Sequence, residues 1–119
     1  MQTNDTIERI KRQISGNTVL LYMKGTPHFP QCGFSAKVAH ILGTLSAEYA
    51  YVNILENPDI RTTLPGYANW PTFPQLYIQG ELIGGCDIVT ELHGKGELKP
   101  LLEKAQALKT SEPNLMEAE

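Results

Sequence analysis

Cysteine is scarce: Cys32 and Cys86 are the only two in 119 residues. Two thiols exclude a disulfide-stapled scaffold and cannot close a zinc site without histidines. His28, His40 and His93 show no C-x-x-C or H-x-x-x-H spacing, so no zinc centre is expected. Long apolar runs are also missing. No stretch approaches the roughly 18 apolar residues of a membrane span. The amino end, MQTNDTIERIKRQ, lacks the apolar centre of a secretion signal. A net charge of −3 gives no electrostatic reason to expect nucleic acid or an anionic membrane as partner. The expectation is a cytoplasmic protein whose thiols are kept reduced, which disfavours a structural Cys32–Cys86 disulfide. The length suits one domain with one core.

What is present reads as alternating helices and strands. Ile7, Ile10 and Ile14 recur at helical spacing, with Gly16 as a stop. TVLLYMKG is a short continuous apolar run, the pattern of a buried strand. GTPHFPQ, with two prolines and a glycine, reads as a loop. From Cys32, a helix is expected with Phe34, Val38, Leu42 and Leu45 inward and Lys37 and His40 outward. AYVNIL is a second strand, and strand, helix, strand at this length is a parallel βαβ unit. NPDIRTTL opens another helix with Asn57 as cap and Pro58 first, until WPTFP interrupts it. QLYI and ELIG, joined by Gln79–Gly80, form a hairpin. Asp87 is a candidate cap for a helix to about His93. A last helix carries Leu98, Leu101, Leu102, Ala105 and Leu108, with Pro100 tolerated in its first turn. This order predicts an α/β thioredoxin-like sandwich, a central four-stranded mixed sheet flanked by helices. Residues 1–109 form the domain, and the acidic tail at 110–119 is expected to be disordered.

Three segments carry candidate chemistry. Cys32 stands where a strand has ended and a helix begins, and a helix amino terminus favours thiolate over thiol. Lys24, eight positions earlier, adds positive charge. A free cysteine is commonly just a small buried apolar residue, but the neighbouring proline-bounded loop argues for exposure. In TFP, Pro74 cannot donate to a sheet. Either it simply starts a strand, or a cis bond turns the Phe73 backbone outward to pair with an extended peptide. In GGCD the glycines permit close backbone approach, and the Cys86 and Asp87 amides suit a carboxylate. An ordinary turn with a capping aspartate explains GGCD equally well. Arg61 on its own reads as part of a solvated helix face.

KGTPHFPQCGFS, NWPTFPQ and GGCDIV, in this order, resemble the monothiol glutaredoxins of the CGFS class, in their single-domain bacterial form. The likeness runs from about Ile7 to Leu108. It implies a glutathione site: Lys24 and Arg61 on the glycine carboxylate, the Phe73 backbone on the cysteine moiety, and the Cys86 and Asp87 amides with the Asp87 side chain on the γ-glutamyl end. Cys32 faces the glutathione sulfur. His28, Phe29 and Pro100 have no counterpart roles.

Ser35 stands where dithiol relatives have their second cysteine. A lone thiol has two uses. It can attack a protein–glutathione mixed disulfide and be freed by a second glutathione. Alternatively, Cys32 from two subunits and two glutathione thiols make the four thiolates of a [2Fe–2S] cluster. The resemblance favours the second, a cluster-bridged homodimer that hands its cluster to acceptor apoproteins. The lengthened GTPHFPQ loop and Trp70–Pro71 belong to that class. The resemblance also implies pairing with a BolA-like protein, a partner histidine replacing one ligand. Two chains with both cysteines also count four ligands, though Cys86 is then withdrawn from glutathione. Under oxidation Cys86 is also a candidate disulfide partner for Cys32.

Overall fold

The computed structural model describes residues 2–119. In chain order it comprises α1 (Gln2–Gly16), β1 (Val19–Met23), β2 (Gly25–Thr26), β3 (Phe29–Pro30), α2 (Gly33–Thr44) and β4 (Tyr49–Asn53). There follow α3 (Pro58–Ala68), β5 (Gln75–Ile78), β6 (Glu81–Gly84), α4 (Cys86–Gly94), α5 (Leu98–Lys104) and β7 (Leu115–Glu117). No helix among the described residues is long and apolar enough to cross a membrane.

The apolar run of β1 makes it the centre of the sheet, whose order is β6-β5-β1-β4-β7. β1 runs parallel to β4, with Leu21 opposite Tyr51, and antiparallel to β5, with Leu21 opposite Leu76. Successive side chains of a strand point to opposite faces, so β1 feeds two cores. Leu20 and Tyr22 pack with Ile10, Ile60 and Leu64 from α1 and α3. Val19, Leu21 and Met23 pack with Val38, Leu42, Val89 and Leu102 from α2, α4 and α5. Each fully buried Leu or Val contributes about 1.5–3 kcal/mol. On the outer side, the Thr6 hydroxyl and the Arg9 guanidinium both donate to the Asp59 carboxylate at 3.0 Å, tying α1 to α3.

The sheet has five strands where four were expected. The fifth comes from the tail at 110–119, where β7 adds in parallel to β4. Leu115 packs against one core and Ala118 against the other, and the Asn114 N–H donates to Glu48 at 3.0 Å. These contacts replace the disorder that the acidic composition suggested. The proline-containing loop also holds more structure than expected: β2 and β3 form a two-stranded ribbon, Gly25 opposite Pro30. Phe34, expected inward, is 62% exposed, because Ser35 takes the buried position in the first turn of α2. Leu101, also expected inward, is exposed, and Leu108 lies beyond the end of α5.

Helix α3 begins as read, with Asn57 at its cap and Pro58 first. It runs on through Pro65 and stops at Asn69, whose φ is 52°. There the Asn69 and Trp70 N–H groups donate to the Gly66 and Pro65 carbonyls at 3.4 and 3.0 Å, a Schellman closure. Gly85, not Asp87, caps α4, and Asp87 lies in its first turn.

Gly25 explains the ribbon. Its φ is 94°, and a Cβ there would lie 2.5 Å from the Phe29 carbonyl oxygen and 2.7 Å from the Gln31 nitrogen. Its N–H donates to the buried Asn53 side chain at 2.9 Å. Gly25→Ala is therefore expected to destabilise the fold by about 1–3 kcal/mol. Urea unfolding measures this, and an unchanged midpoint would show that the ribbon accommodates a side chain.

Candidate functional site

Cys32 occupies the cap position of α2 in extended conformation, with φ −152° and ψ 137°. The thiol is half-buried and free. Its neighbours favour the thiolate over the thiol: the pKa is lowered, first by the backbone N–H of Ser35. Partial burial works against this, and the Phe34 N–H, the positive charge of Lys24 and the Ser35 hydroxyl add to the lowering. This is the physics of a helix amino terminus, where unpaired N–H groups favour an anion.

Ser35 explains why its position need not be a cysteine. It is fully buried, and its hydroxyl accepts the Lys24 backbone N–H at 3.1 Å. That bond pins the end of β1 to the first turn of α2 and so fixes Cys32 relative to the sheet. In sequence, Ser35 shows only as a missing thiol; its setting three residues into an amphipathic helix is the signal of its buried role.

Lys24, Cys32, Arg61, Phe73, Cys86 and Asp87, which come from four separate segments, line one cleft of about 780 Å³. Lys24 directly follows β1 and Arg61 lies on α3, so two cations share this cleft with the Cys32 sulfur. Phe73 precedes Pro74, and the Phe73–Pro74 peptide is cis. Cys86 and Asp87 form the first turn of α4, whose amino terminus opens on the cleft. Gly84 has φ 149°, and a Cβ there would lie 2.8 Å from the Ile88 side chain, while one at Gly85 would lie 3.1 Å from the Pro74 carbonyl oxygen. The buried Cys86 thiol lies 4.0 Å from the Thr90 hydroxyl. Among the described residues, no three His, Cys, Asp or Glu side chains converge as a metal site.

Trp70, Pro71 and Thr72 complete one wall, with Phe34 near the thiol. Trp70 is the chain's single tryptophan, and its buried indole N–H has no partner among the described residues. In sequence, the Trp70–Pro71 pair marks the class resemblance but gives neither residue a place in the site. Another cavity, of about 710 Å³, lies between α1, β4 and the tail and contains neither thiol. A cleft of this size, mixing apolar walls with a few charged groups, suits a small anionic ligand.

Residues 19–83 match the family model for glutaredoxin. The chain belongs to the glutaredoxin family. It is 57% identical to glutaredoxin 4 of Escherichia coli strain K12 over 110 residues, 92% of this chain and 96% of that protein. It is 60% identical to glutaredoxin 4 of Buchnera aphidicola subsp. Acyrthosiphon pisum over 99 residues, 83% and 92% of the two chains. Among solved structures, reduced poplar apo GrxS14 superposes with a TM-score of 0.75 at 47% identity, covering 89% of this chain and 98% of that one. A buckwheat glutaredoxin–glutathione complex superposes with a TM-score of 0.79 at 25% identity, covering 91% and 96%. With Ser35 where a second cysteine of the motif would stand, the chain is a monothiol member of its family. The thioredoxin-like architecture is that of the glutaredoxins.

Replacing Ser35 with alanine leaves the Lys24 N–H without its acceptor. Ser35→Ala is expected to cost about 1–3 kcal/mol and to raise the Cys32 pKa, read from the pH dependence of iodoacetamide alkylation. A folded-state pKa below the unfolded one means that ionised Cys32 adds stability above the unfolded pKa. That increment disappears as pH falls through the folded pKa. The stability gap between wild type and Cys32→Ser is thus expected to widen with rising pH across this window. A gap independent of pH would contradict the lowered pKa.

Proposed function

We propose that this monothiol glutaredoxin binds glutathione in the cleft and uses Cys32 to assemble, store or transfer a [2Fe–2S] cluster to acceptor apoproteins. The observation that carries the reading is the free, partly exposed Cys32 thiol, its pKa lowered, at a cleft with two cations and a helix amino terminus, while a buried serine stands where a second cysteine would. In this reading Lys24 and Arg61 hold the glycine carboxylate of glutathione. The Phe73 backbone pairs with the cysteine moiety, bringing the glutathione sulfur toward Cys32. The Cys86 and Asp87 amides and the Asp87 carboxylate take the γ-glutamyl end, where α-ammonium and α-carboxylate need opposite partners.

A cluster of this kind needs four thiolates. One chain supplies Cys32, so two chains and two glutathiones complete the set as a cluster-bound homodimer. The cluster is cargo: two of its four ligands are small exchangeable thiols, which suits release to an acceptor. A BolA-like protein supplying a histidine is a further partner in this scheme. The setting proposed is the cytoplasm, where reduced glutathione is abundant.

The lowered Cys32 pKa favours a second reading, glutathione-dependent thiol–disulfide exchange. The Cys32 thiolate attacks the glutathione sulfur of a protein mixed disulfide, releasing the protein thiolate and forming a Cys32–glutathione disulfide. A second glutathione thiolate attacks that bond, giving glutathione disulfide and restoring Cys32. This cycle needs no second protein thiol.

Anaerobic reconstitution with iron and sulfide, with and without glutathione, separates the two readings. A coloured dimer by visible absorbance and native mass is expected only with glutathione. Cys32→Ser is expected to abolish it and Cys86→Ser to retain it. A colourless monomer in both samples would leave thiol exchange as the function, and loss of colour in Cys86→Ser would instead indicate four protein thiolates.

A further inference from the structure

Gln75 is a polar residue at the head of an otherwise apolar strand, and it is fully buried. Its carboxamide nitrogen donates to the Trp70 carbonyl at 3.0 Å and the Thr72 carbonyl at 3.3 Å. Its oxygen accepts the Tyr77 hydroxyl at 3.0 Å. A flipped amide would set oxygen against two carbonyls, so these partners allow one orientation. Burial, with Tyr67 adding to it, pushes the Tyr77 pKa up to about 12 and keeps that hydroxyl a donor. The Tyr77 ring meets Tyr22 edge-on at 5.7 Å, and the Tyr22 hydroxyl donates to the buried Gln13 side chain at 2.8 Å. A column of buried polar groups thus runs from α1, alongside β1 and β5, to the loop that walls the cleft.

That loop needs an external hold. Pro71 and Pro74 have no N–H to give, and Pro71–Phe73 make no backbone–backbone hydrogen bond among the described residues. Both bonds that Gln75 donates go to carbonyls of Trp70–Phe73, and these residues supply Trp70, Thr72 and Phe73 to the cleft. With the Trp70 and Thr72 carbonyls drawn into the core, the Phe73 N–H and C=O are left without partners among the described residues.

We propose that Gln75 is a positioning residue of the cleft. Oriented by Tyr77, it holds the Trp70–Phe73 wall so that the Phe73 backbone is presented to the ligand's main chain. The ligand's identity as glutathione rests on the function proposed above; the hold on the wall does not.

Trp70, as the single tryptophan, reports the wall directly. Gln75→Leu and Tyr77→Phe would be compared with wild type by acrylamide quenching of Trp70, glutathione titration calorimetry and the rate of Cys32 alkylation. Quenching is expected to rise in both variants. Glutathione affinity is expected to fall about tenfold in Gln75→Leu and about threefold in Tyr77→Phe. Alkylation stays at the wild-type rate, because Cys32 is held from α2; a merely loosened fold would raise it as well. Unchanged quenching in both variants would overturn the proposal, as would unchanged affinity in variants of a wild type that binds. Should wild type bind no glutathione while Gln75→Leu still frees Trp70, the ligand reading fails and the positioning role stands. If Gln75→Leu does not fold, Tyr77→Phe, which keeps the carboxamide, decides.

Discussion

The exclusion of water from both faces of β1 is the constraint on which the structure depends. Five consecutive residues, Val19 to Met23, are buried, and no single layer of helices can cover such a strand. Helices must therefore lie on both sides, and β1 must take the middle of the sheet. Once it does, its carboxyl end opens between the layers, and everything chemical in the molecule is arranged around that end. Lys24 follows β1 directly, Ser35 is bonded to it, and Cys32 is held three residues before Ser35.

The site is rigid by different means on its different sides. On the thiol side one hydroxyl joins strand to helix, and the helix geometry then aims unpaired N–H groups at the sulfur. On the opposite side the backbone has almost no bonds of its own, and a carboxamide from beneath takes their place. The α4 side relies on backbone proximity at Gly84 and Gly85, where an added Cβ would meet Ile88 or the Pro74 carbonyl. The charged groups of the cleft are Lys24, Arg61 and Asp87, yet the backbone N–H groups of Ser35 and Phe34 outweigh the Lys24 charge in favouring the thiolate, so its environment is built mainly from neutral dipoles. Dipoles fixed in place do not reorganise when the sulfur gains or loses charge.

Much of this was legible in the chain. The VLLYM run named the central strand, and the Pro58 and Gln79–Gly80 signals marked a helix start and a hairpin turn, because each depends on local backbone chemistry. Phe34 was misread because helical spacing alone does not say which stripe faces inward, and a small serine held the inward place. The β2–β3 ribbon was invisible since two-residue strands carry no periodicity. The tail was misjudged because its acidic residues outweigh the few contacts of Leu115 and Ala118 in any reading of composition. Cys32, Lys24, Phe73, Cys86 and Asp87 stood out by local chemistry and Arg61 only through family resemblance; that the six share one cleft is a tertiary fact that spacing cannot state. Gln75 did leave a trace, a polar side chain opening a buried strand, but its partners are carbonyls that sequence does not display.

The parallel strand at the end of the chain has a bearing on how the protein survives handling and ageing. β7 is what shields the outer edge of β4, retained by short pairing, a few packed side chains and the Asn114 hydrogen bond to Glu48. A protease that nicks the connection after α5 would uncover a row of unpaired amides and carbonyls on a strand rich in tyrosine and valine. Such an edge recruits other edges. Clipped molecules would thus associate through their sheets, independently of any thiol or metal.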